Sequence, residues 1–270
     1  MKELVFIDGK PLKETFPLRS LFYGEGVFET FRWIAEFPVY FDRHVERMKK
    51  GAGILGIPFP GEEAVKEMVE NAVLESRIND GYIKVCLLSQ GPTVFYGYPK
   101  GSSLLVIVRE YIRENMPIKA QVASFRRSSQ SPVHKLKSLN YMENILAKRE
   151  ALSHGFDEAI FLNDKGELTE ANASNIFWFK EDTLFTPSPE CGLLPGVIRG
   201  VLIELAKEMG IKVIEGSFDL DSLVHSHGGF VTNSLIGAIA ISHLERFELP
   251  ISKHFDMIKV SLLERLRWVS

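Results

Sequence analysis

VHKLKSLNYMENILAKREA, residues 133–151, sets two lysines, Lys135 and Lys137, directly ahead of an otherwise ordinary helical stretch. A lysine in such a place is in most proteins a solvated charge. A lysine held in a pocket is different: burial or a neighbouring cation lowers its pKa, and the free amine then attacks carbonyl carbon to form a Schiff base. Strand alternation through this stretch puts Lys135 and Lys137 on the same side, so periodicity does not choose between them. Asn140 to Ser153 follows as a helix stopped by Gly155.

The rest of the chain bounds what that lysine can serve. At 270 residues there is room for one large domain or two modest ones. The chain is 45% hydrophobic and 25% charged, which supports a real core. A net charge of −3 gives no electrostatic case for nucleic acid or an anionic membrane surface. Apolar runs such as Leu104 to Val108 are strand-length and too short to span a bilayer. The opening MKELVFIDGK has no basic segment leading into a long apolar stretch, so no signal peptide is expected. Cys86 and Cys191 are the only cysteines and set neither a disulfide framework nor a zinc spacing, which fits a reducing cytoplasm. Plentiful Lys, Arg and Glu with rare Gln lean toward a thermophile.

Strand and helix signals alternate along the first half. LVFID and a DGK turn predict an opening hairpin, and VFETFRW and FPVYF read as strands around a tight connection. Asp42 to Leu55 reads as a helix with Asp42 as N-cap and Val45, Met48 and Ala52 on one face. Ala64, Val65, Met68, Val69, Ala72 and Val73 repeat at helical spacing. YIKVCLLS, with Cys86 in the core, and SLLVIVR return as strands. Polar IRENMPIKA is the linker candidate, which divides the chain into an N-terminal α/β domain (1–113), a linker (114–120) and a C-terminal domain (121–270). In the second half QVASFRR, DEAIFLND, ELTEA, NIFWFK, TLFTP, GGFVTN and GAIAIS read as strands. Val197 to Met209 is an amphipathic helix stopped by Gly210, and Phe255 to Leu266 closes the chain as a helix. Two α/β domains with a ligand-binding cleft between them are expected.

Several further segments carry chemistry. GLLPGVIRG (192–200) is a Gly/Pro loop running into a strong helix, where free amides and the helix dipole suit a phosphate. VTNSL (231–235) offers amides and a hydroxyl after a strand. His44 and Arg47, three apart, share a helix face. Glu170 stands among small residues in LTEANASN. Taken singly, each has a plainer explanation as a helix start, a turn or a solvated charge. His225 and His227 form an H-x-H pair with Asp219 and Asp221 as the nearest carboxylates; a polar turn explains them better than a metal site, and no metal is expected.

In order, YGEGVFETFR (23–32), HVERMKKGAGILGI (44–57), KSLNYMENILAKREA (137–151), LTEANASNIF (168–177), GLLPGVIRG (192–200) and VTNSLIGAIAIS (231–242) resemble the class IV aminotransferases, the fold-type IV pyridoxal-phosphate (PLP) enzymes. The resemblance spans nearly the whole chain. It implies a mixed α/β (α+β) two-domain architecture with the active site in the interdomain cleft, a PLP cofactor, a small amino substrate and a homodimer. It makes Lys137 the Schiff-base lysine and catalytic base, leaving Lys135 an ordinary charge. Glu170 matches the carboxylate that pairs with the pyridine nitrogen, and Arg47 the bidentate phosphate ligand. The amides of Val197 and Ile198, with Asn233 and Ser234, match the remaining phosphate contacts. Many relatives have threonine where Ile198 stands, so the backbone has to suffice there. Tyr141 resembles, across a one-residue gap, a tyrosine near the cofactor's phenolate oxygen.

Within the family, VTNSLIGAIAIS most resembles the 4-amino-4-deoxychorismate lyases; transaminases of branched-chain or D-amino acids are the alternative, and a noncatalytic binding protein on the same fold a remote one. SQGPTVFYGYPK (89–100) lacks the arginine that many members use for a substrate carboxylate, and Gln90 stands near that place. Arg32, Lys100, Arg126 and Arg127 are candidate substitutes. Phe28, Arg32, Gln90 and Leu235 are the expected substrate-side residues, and Phe22, Tyr23 and Phe28 the aromatics expected to close a partner subunit's pocket.

Overall fold

A computed structural model describes residues 6–7, 10–11, 16–112 and 117–268. Two compact units emerge, one from residues 1–30, 42–110 and 137–140, the other from 31–41, 111–136 and 141–270. Each draws on more than one stretch of the chain. Of the expected linker, residues 114–116 lie outside the described residues, and 118–120 open a strand.

In the first unit β1 (Phe6–Ile7) pairs antiparallel with β2 (Lys10–Pro11); the turn expected at Asp8 and Gly9 lies outside the described residues. Helix α1 (Leu18–Tyr23) ends at Gly24, whose φ of 61° a glycine adopts without strain. Strands β3 (Gly26–Ile34), β4 (Asp80–Gln90) and β5 (Gly101–Glu110) form a three-stranded sheet. β4 and β5 pair antiparallel from Gly81↔Glu110 to Gln90↔Gly101. Alternation sends Ile83, Val85 and Leu87 of β4 into the core. Helix α2 (Phe41–Leu55) buries Val45, Met48 and Ala52, and α3 (Glu62–Ser76) buries Val65, Val69 and Val73, the faces their spacing predicts. α2 starts one residue early, so Asp42 sits in its first turn rather than capping it.

The second unit holds β6 (Ile118–Val122), α4 (Met142–Ser153), β7 (Glu158–Leu162), β8 (Leu168–Ala171), β9 (Asn175–Lys180), β10 (Thr183–Pro187), α5 (Val197–Glu208), β11 (Lys212–Gly216), α6 (Leu220–Val224), β12 (Gly229–Asn233), β13 (Gly237–Leu244), β14 (Phe247–Glu248) and α7 (Lys253–Arg265). Its mixed nine-stranded sheet runs β11-β10-β9-β12-β13-β6-β7-β8, with β14 on β13. Both faces are covered. Phe177, Phe179 and Phe230 pack with Leu202 of α5 and Ile258 and Leu262 of α7, while Ile176, Trp178, Val231 and Ile239 pack with Ile160 and Leu168 on the other face. That two-sided burial is why NIFWFK is a continuous apolar run rather than an alternating one.

Two strand expectations fail. FPVYF is a turn: Ala35 has φ 58°, Pro38 lacks an N–H, and the Phe41 N–H closes onto the Pro38 carbonyl. Its aromatics form a cluster instead, with the Phe37 ring edge-on to Trp33 at 4.9 Å and tilted against Phe41 at 4.6 Å. QVASFRR leaves the sheet after Val122 and returns only as a single bridge between Arg127 and Asn163. Among the described residues no helix is long and apolar enough to cross a membrane.

Candidate active site

Residues 132–136 form a turn and bend, not a strand, so side-chain alternation never applied to the two lysines. Lys135 is exposed and Lys137 half-buried. Lys137 belongs to the first unit, where residues 137–140 run along the start of β3. The Phe28 N–H donates to the Lys137 carbonyl at 2.8 Å, and the Leu139 N–H to the Gly26 carbonyl at 3.0 Å. Gly26 permits this approach, because a Cβ there would stand 2.6 Å from Leu139 Cδ1 and 2.9 Å from the Leu87 carbonyl oxygen. Lys137 Nζ lies 4.6 Å from the ring centroid of buried Phe28. Lys84 Nζ, from β4, lies 4.3 Å from the same ring. Lys84 was not apparent from sequence, since nothing in YIKVCLLS distinguishes it from an outward strand charge.

Glu29, one residue further along β3, is buried and ionised. Arg47 Nε donates to its Oε1 at 2.8 Å and Nη2 to its Oε2 at 2.6 Å, while His44 Nδ1 lies 2.6 Å from Oε2. Burial raises the Glu29 pKa, but the charge and bonds of Arg47, with help from His44, outweigh it and bring the value to about 2. His44 is pushed down, first by burial, against the pull of Glu29 and with the added repulsion of Arg47 and Lys137. A neutral His44 therefore donates from Nδ1 to the carboxylate. The Nε/Nη2 edge of Arg47 is taken by Glu29, so an anion has to meet Arg47 along another edge. Gln90 turns across the sheet and donates from Nε2 to Ser103 Oγ; Lys100 is exposed.

In the second unit the segment from Glu170 to Asn175 gathers the other candidates. Glu170 Oε1 accepts from Arg127 Nη1 at 3.1 Å, and Oε2 accepts from the Leu194 N–H at 3.1 Å. Asn175 Nδ2 donates to the Leu194 carbonyl at 2.8 Å. Asn175 Oδ1 lies 2.2 Å from where a Cβ on residue 196 would stand, so Gly196 is dictated by contact. The Asn172 carbonyl accepts from Asn144 Nδ2 at 2.5 Å and, at the 3.5 Å limit, from the Tyr141 hydroxyl. Asn233 Nδ2 donates to Ser174 Oγ at 2.9 Å, while its Oδ1 accepts the Leu235 and Ile236 amides at 2.9 and 3.0 Å. The Leu235 amide is thus held inside the loop. Among the described residues the Val197 and Ile198 amides and the Ser234 hydroxyl meet no partner in the chain. The Ile198 side chain lies in the core with Phe177, which explains how an apolar residue replaces a hydroxyl there. Arg32 is buried, its guanidinium over the rings of Tyr111 (4.3 Å) and Trp268 (5.1 Å), and its N–H donates to the Ser234 carbonyl at 3.0 Å. Arg126 Nη1 donates to the Asn163 carbonyl at 3.3 Å. His227 Nδ1 accepts the Glu181 N–H, which accounts for half of the H-x-H pair.

The family model for "Amino-transferase class IV" matches residues 26–244. The chain belongs to the class IV aminotransferase family. An aminodeoxychorismate lyase of Bacillus subtilis is 31% identical over 90% of this chain and 87% of its own length. A D-alanine aminotransferase of Listeria monocytogenes is 30% identical over 87% and 83%. Among solved structures, a branched-chain aminotransferase of the archaeon Thermoproteus uzoniensis superposes with a TM-score of 0.85 at 27% identity, covering 98% of this chain and 95% of that one.

Class IV aminotransferases are PLP-dependent enzymes, and so is this chain. Its donors suit the cofactor. Glu170, with the Arg127 guanidinium on one oxygen and the Leu194 N–H on the other, suits a pyridine nitrogen that holds its proton. The unpartnered amides that open α5, and a helix start with no side-chain cap, match a phosphate. Arg127, Asn144, Asn172 and Asn175 tie these elements together. The sequence shows asparagines there but no period that marks them, because their partners are loop carbonyls far along the chain.

Proposed function

We propose that this class IV aminotransferase-family enzyme is a 4-amino-4-deoxychorismate lyase that releases 4-aminobenzoate and pyruvate. The observation that carries the reading is the loop built on Asn233, the asparagine of the lyase-like TNS-x-x-G pattern. Its side chain accepts two loop amides and donates to Ser174, so the backbone before Gly237 is fixed from both ends. A lyase handles one substrate and needs no second keto acid, so such a loop need not adapt to alternating side chains. The similarity to the Bacillus subtilis lyase supports the same reading.

In this proposal Lys137 Nζ carries the cofactor and, once displaced, takes the proton from the amino-bearing carbon. PLP supplies the electron sink for the charge developing at that carbon. Glu170 holds the ring-nitrogen proton. Arg47, the Val197 and Ile198 amides, Asn233 and Ser234 hold the phosphate end, with Tyr141 beside the ring. Phe28, Arg32, Gln90 and Leu235 are assigned to the substrate side. Elimination across Cα–Cβ after proton removal releases pyruvate and an aromatic product. Returning the proton and hydrolysing instead would be transamination, the reading favoured by the similarity to branched-chain and D-alanine aminotransferases. We also infer a cytoplasmic homodimer that covers exposed Phe22 and Tyr23; light scattering at a single chain mass would refute the dimer.

Visible spectra of the PLP-loaded protein test the function. They are recorded with a panel of L- and D-amino acids and then with aminodeoxychorismate, coupled to lactate dehydrogenase. Pyruvate release with a yellow form that persists through the panel is the expected result. Bleaching by one class of amino acid, without pyruvate release from aminodeoxychorismate, makes it a transaminase and names the hand of its donor.

A further inference from the structure

Arg127 is a costly residue to bury. A guanidinium shut away from water must have each part of its charge answered by a partner. In the second unit both Nη atoms are hydrogen-bonded, while Nε has an ion-pair neighbour but no hydrogen bond. Its backbone N–H donates to the Leu162 carbonyl at 3.0 Å, fixing the chain beside β7. Its guanidinium lies 3.4 Å from the ring centroid of Phe161. Nη2 donates to Asn144 Oδ1 at 2.8 Å, and Asn144 is itself anchored through Nδ2 to the Asn172 carbonyl. Nε lies 3.2 Å from Glu143 Oε2. What remains, Nη1, is aimed at Glu170 Oε1. The Leu194 N–H holds the other oxygen, so the carboxylate is gripped at both ends by groups that cannot swing away.

We propose that Arg127 is the positioning residue for Glu170, fixing the plane of its carboxylate and favouring its ionised form so that it keeps a bound pyridine nitrogen protonated. This rests on the reading that Glu170 faces that nitrogen. It also removes Arg127 from the candidates for a substrate carboxylate. Its two Nη atoms are engaged by Asn144 and Glu170 and its face lies on Phe161, so its bonding is spent within the second unit. Charge next to the carboxylate favours the anion, and two rigid donors hold its geometry.

The test uses the full-length protein loaded with PLP labelled with ¹⁵N in the ring and reads the nitrogen's chemical shift, which reports protonation directly. Arg127→Gln, which keeps a donor and removes the charge, should move the signal toward the unprotonated position. Arg127→Lys should restore part of the protonated signal. Turnover should fall roughly tenfold to a hundredfold in Arg127→Gln, as when other residues that orient a ligating group are removed. An unchanged shift in Arg127→Gln, where Glu170→Gln does lose the protonated signal, overturns the role of Arg127 alone. An unchanged shift in both overturns the placement of Glu170 as well. If Arg127→Gln does not fold, Asn144→Leu is read the same way, since it removes the bond that aims the guanidinium and leaves its charge: a lowered protonated fraction supports the proposal and an unaltered one overturns it.

Discussion

In the first unit Glu29 is the hidden member of its pair and Arg47 the accessible one, with side chains 2% and 17% exposed; in the second, Arg127 is hidden at 2% and Glu170 stands at 11%. The same two residue types are used in opposite senses. Glu29 takes two bonds from one edge of Arg47 and a third from His44, and so serves as an anchor that aims a cation. Arg127 spends its donors on Asn144 and Glu170, and so serves as an anchor that aims an anion. The more deeply buried partner bears the larger cost of desolvation, and in our proposal the less buried partner is the one turned to the cofactor. An aimed arginine suits a phosphate and an aimed carboxylate suits a protonated ring nitrogen.

Substitutions can break this symmetry. Against the largest effect, Lys137→Ala should lower turnover about 10⁴-fold, the upper range for a general base, while Lys135→Ala leaves it unchanged. Equal losses in kcat would leave neither pair a reacting amine to serve. Next, Glu29→Gln should destabilise the fold by about 1.5–3 kcal/mol, because it weakens the charged hydrogen bonds to Arg47, and thermal melting reads this directly. A melting temperature equal to wild type would make Glu29 no anchor. The pair also has a pH signature. Because the folded pKa of Glu29 is about 2, below the ordinary 4.5, its contribution is complete above 4.5 and is lost as pH falls toward 2. The wild-type melting temperature should therefore drop more steeply across that window than that of Glu29→Gln, and parallel curves would contradict the assignment.

The accessible members should behave differently. Glu170→Gln should retain the cofactor and slow turnover about 10²-fold, comparable to losing one preorganised electrostatic contact; undiminished kcat counts against its role. Arg47→Ala should weaken cofactor affinity by about 1.5–3 kcal/mol, the worth of a charged hydrogen bond. Equilibrium dialysis that finds the same Kd would move the phosphate site elsewhere.

Much of this arrangement was open to sequence reasoning. The period of Val197 to Met209 marks α5, and the continuous run NIFWFK marks a strand buried on both faces. His44 and Arg47, three apart on a predicted helix, do share a face, and both reach the same carboxylate. What was not legible is that carboxylate itself. Glu29 looks like any polar residue in an alternating strand until the tertiary fold brings α2 against it. Arg127 is the sharper case. Charge and position made it a candidate for substrate binding, yet its partner is 43 residues away, across a turn region, helix α4 and strand β7 that no local pattern links. FPVYF misleads for a related reason, since aromatic clustering around a proline turn carries the same composition as a strand.

The glycine at position 26 bears on when the molecule becomes competent as well as on its shape. It lets residues 137–139 lie against residues 26–28, a contact that closes a loop of about 110 residues and so forms late against chain entropy. Lys137 is therefore carried into the first unit by a long-range closure that follows local helix and hairpin formation. During refolding followed by stopped flow, recovery of helix and strand signals should precede the capture of PLP, and a nascent chain should gain that capacity only after residue 234 has been made, since the proposed phosphate contacts run that far.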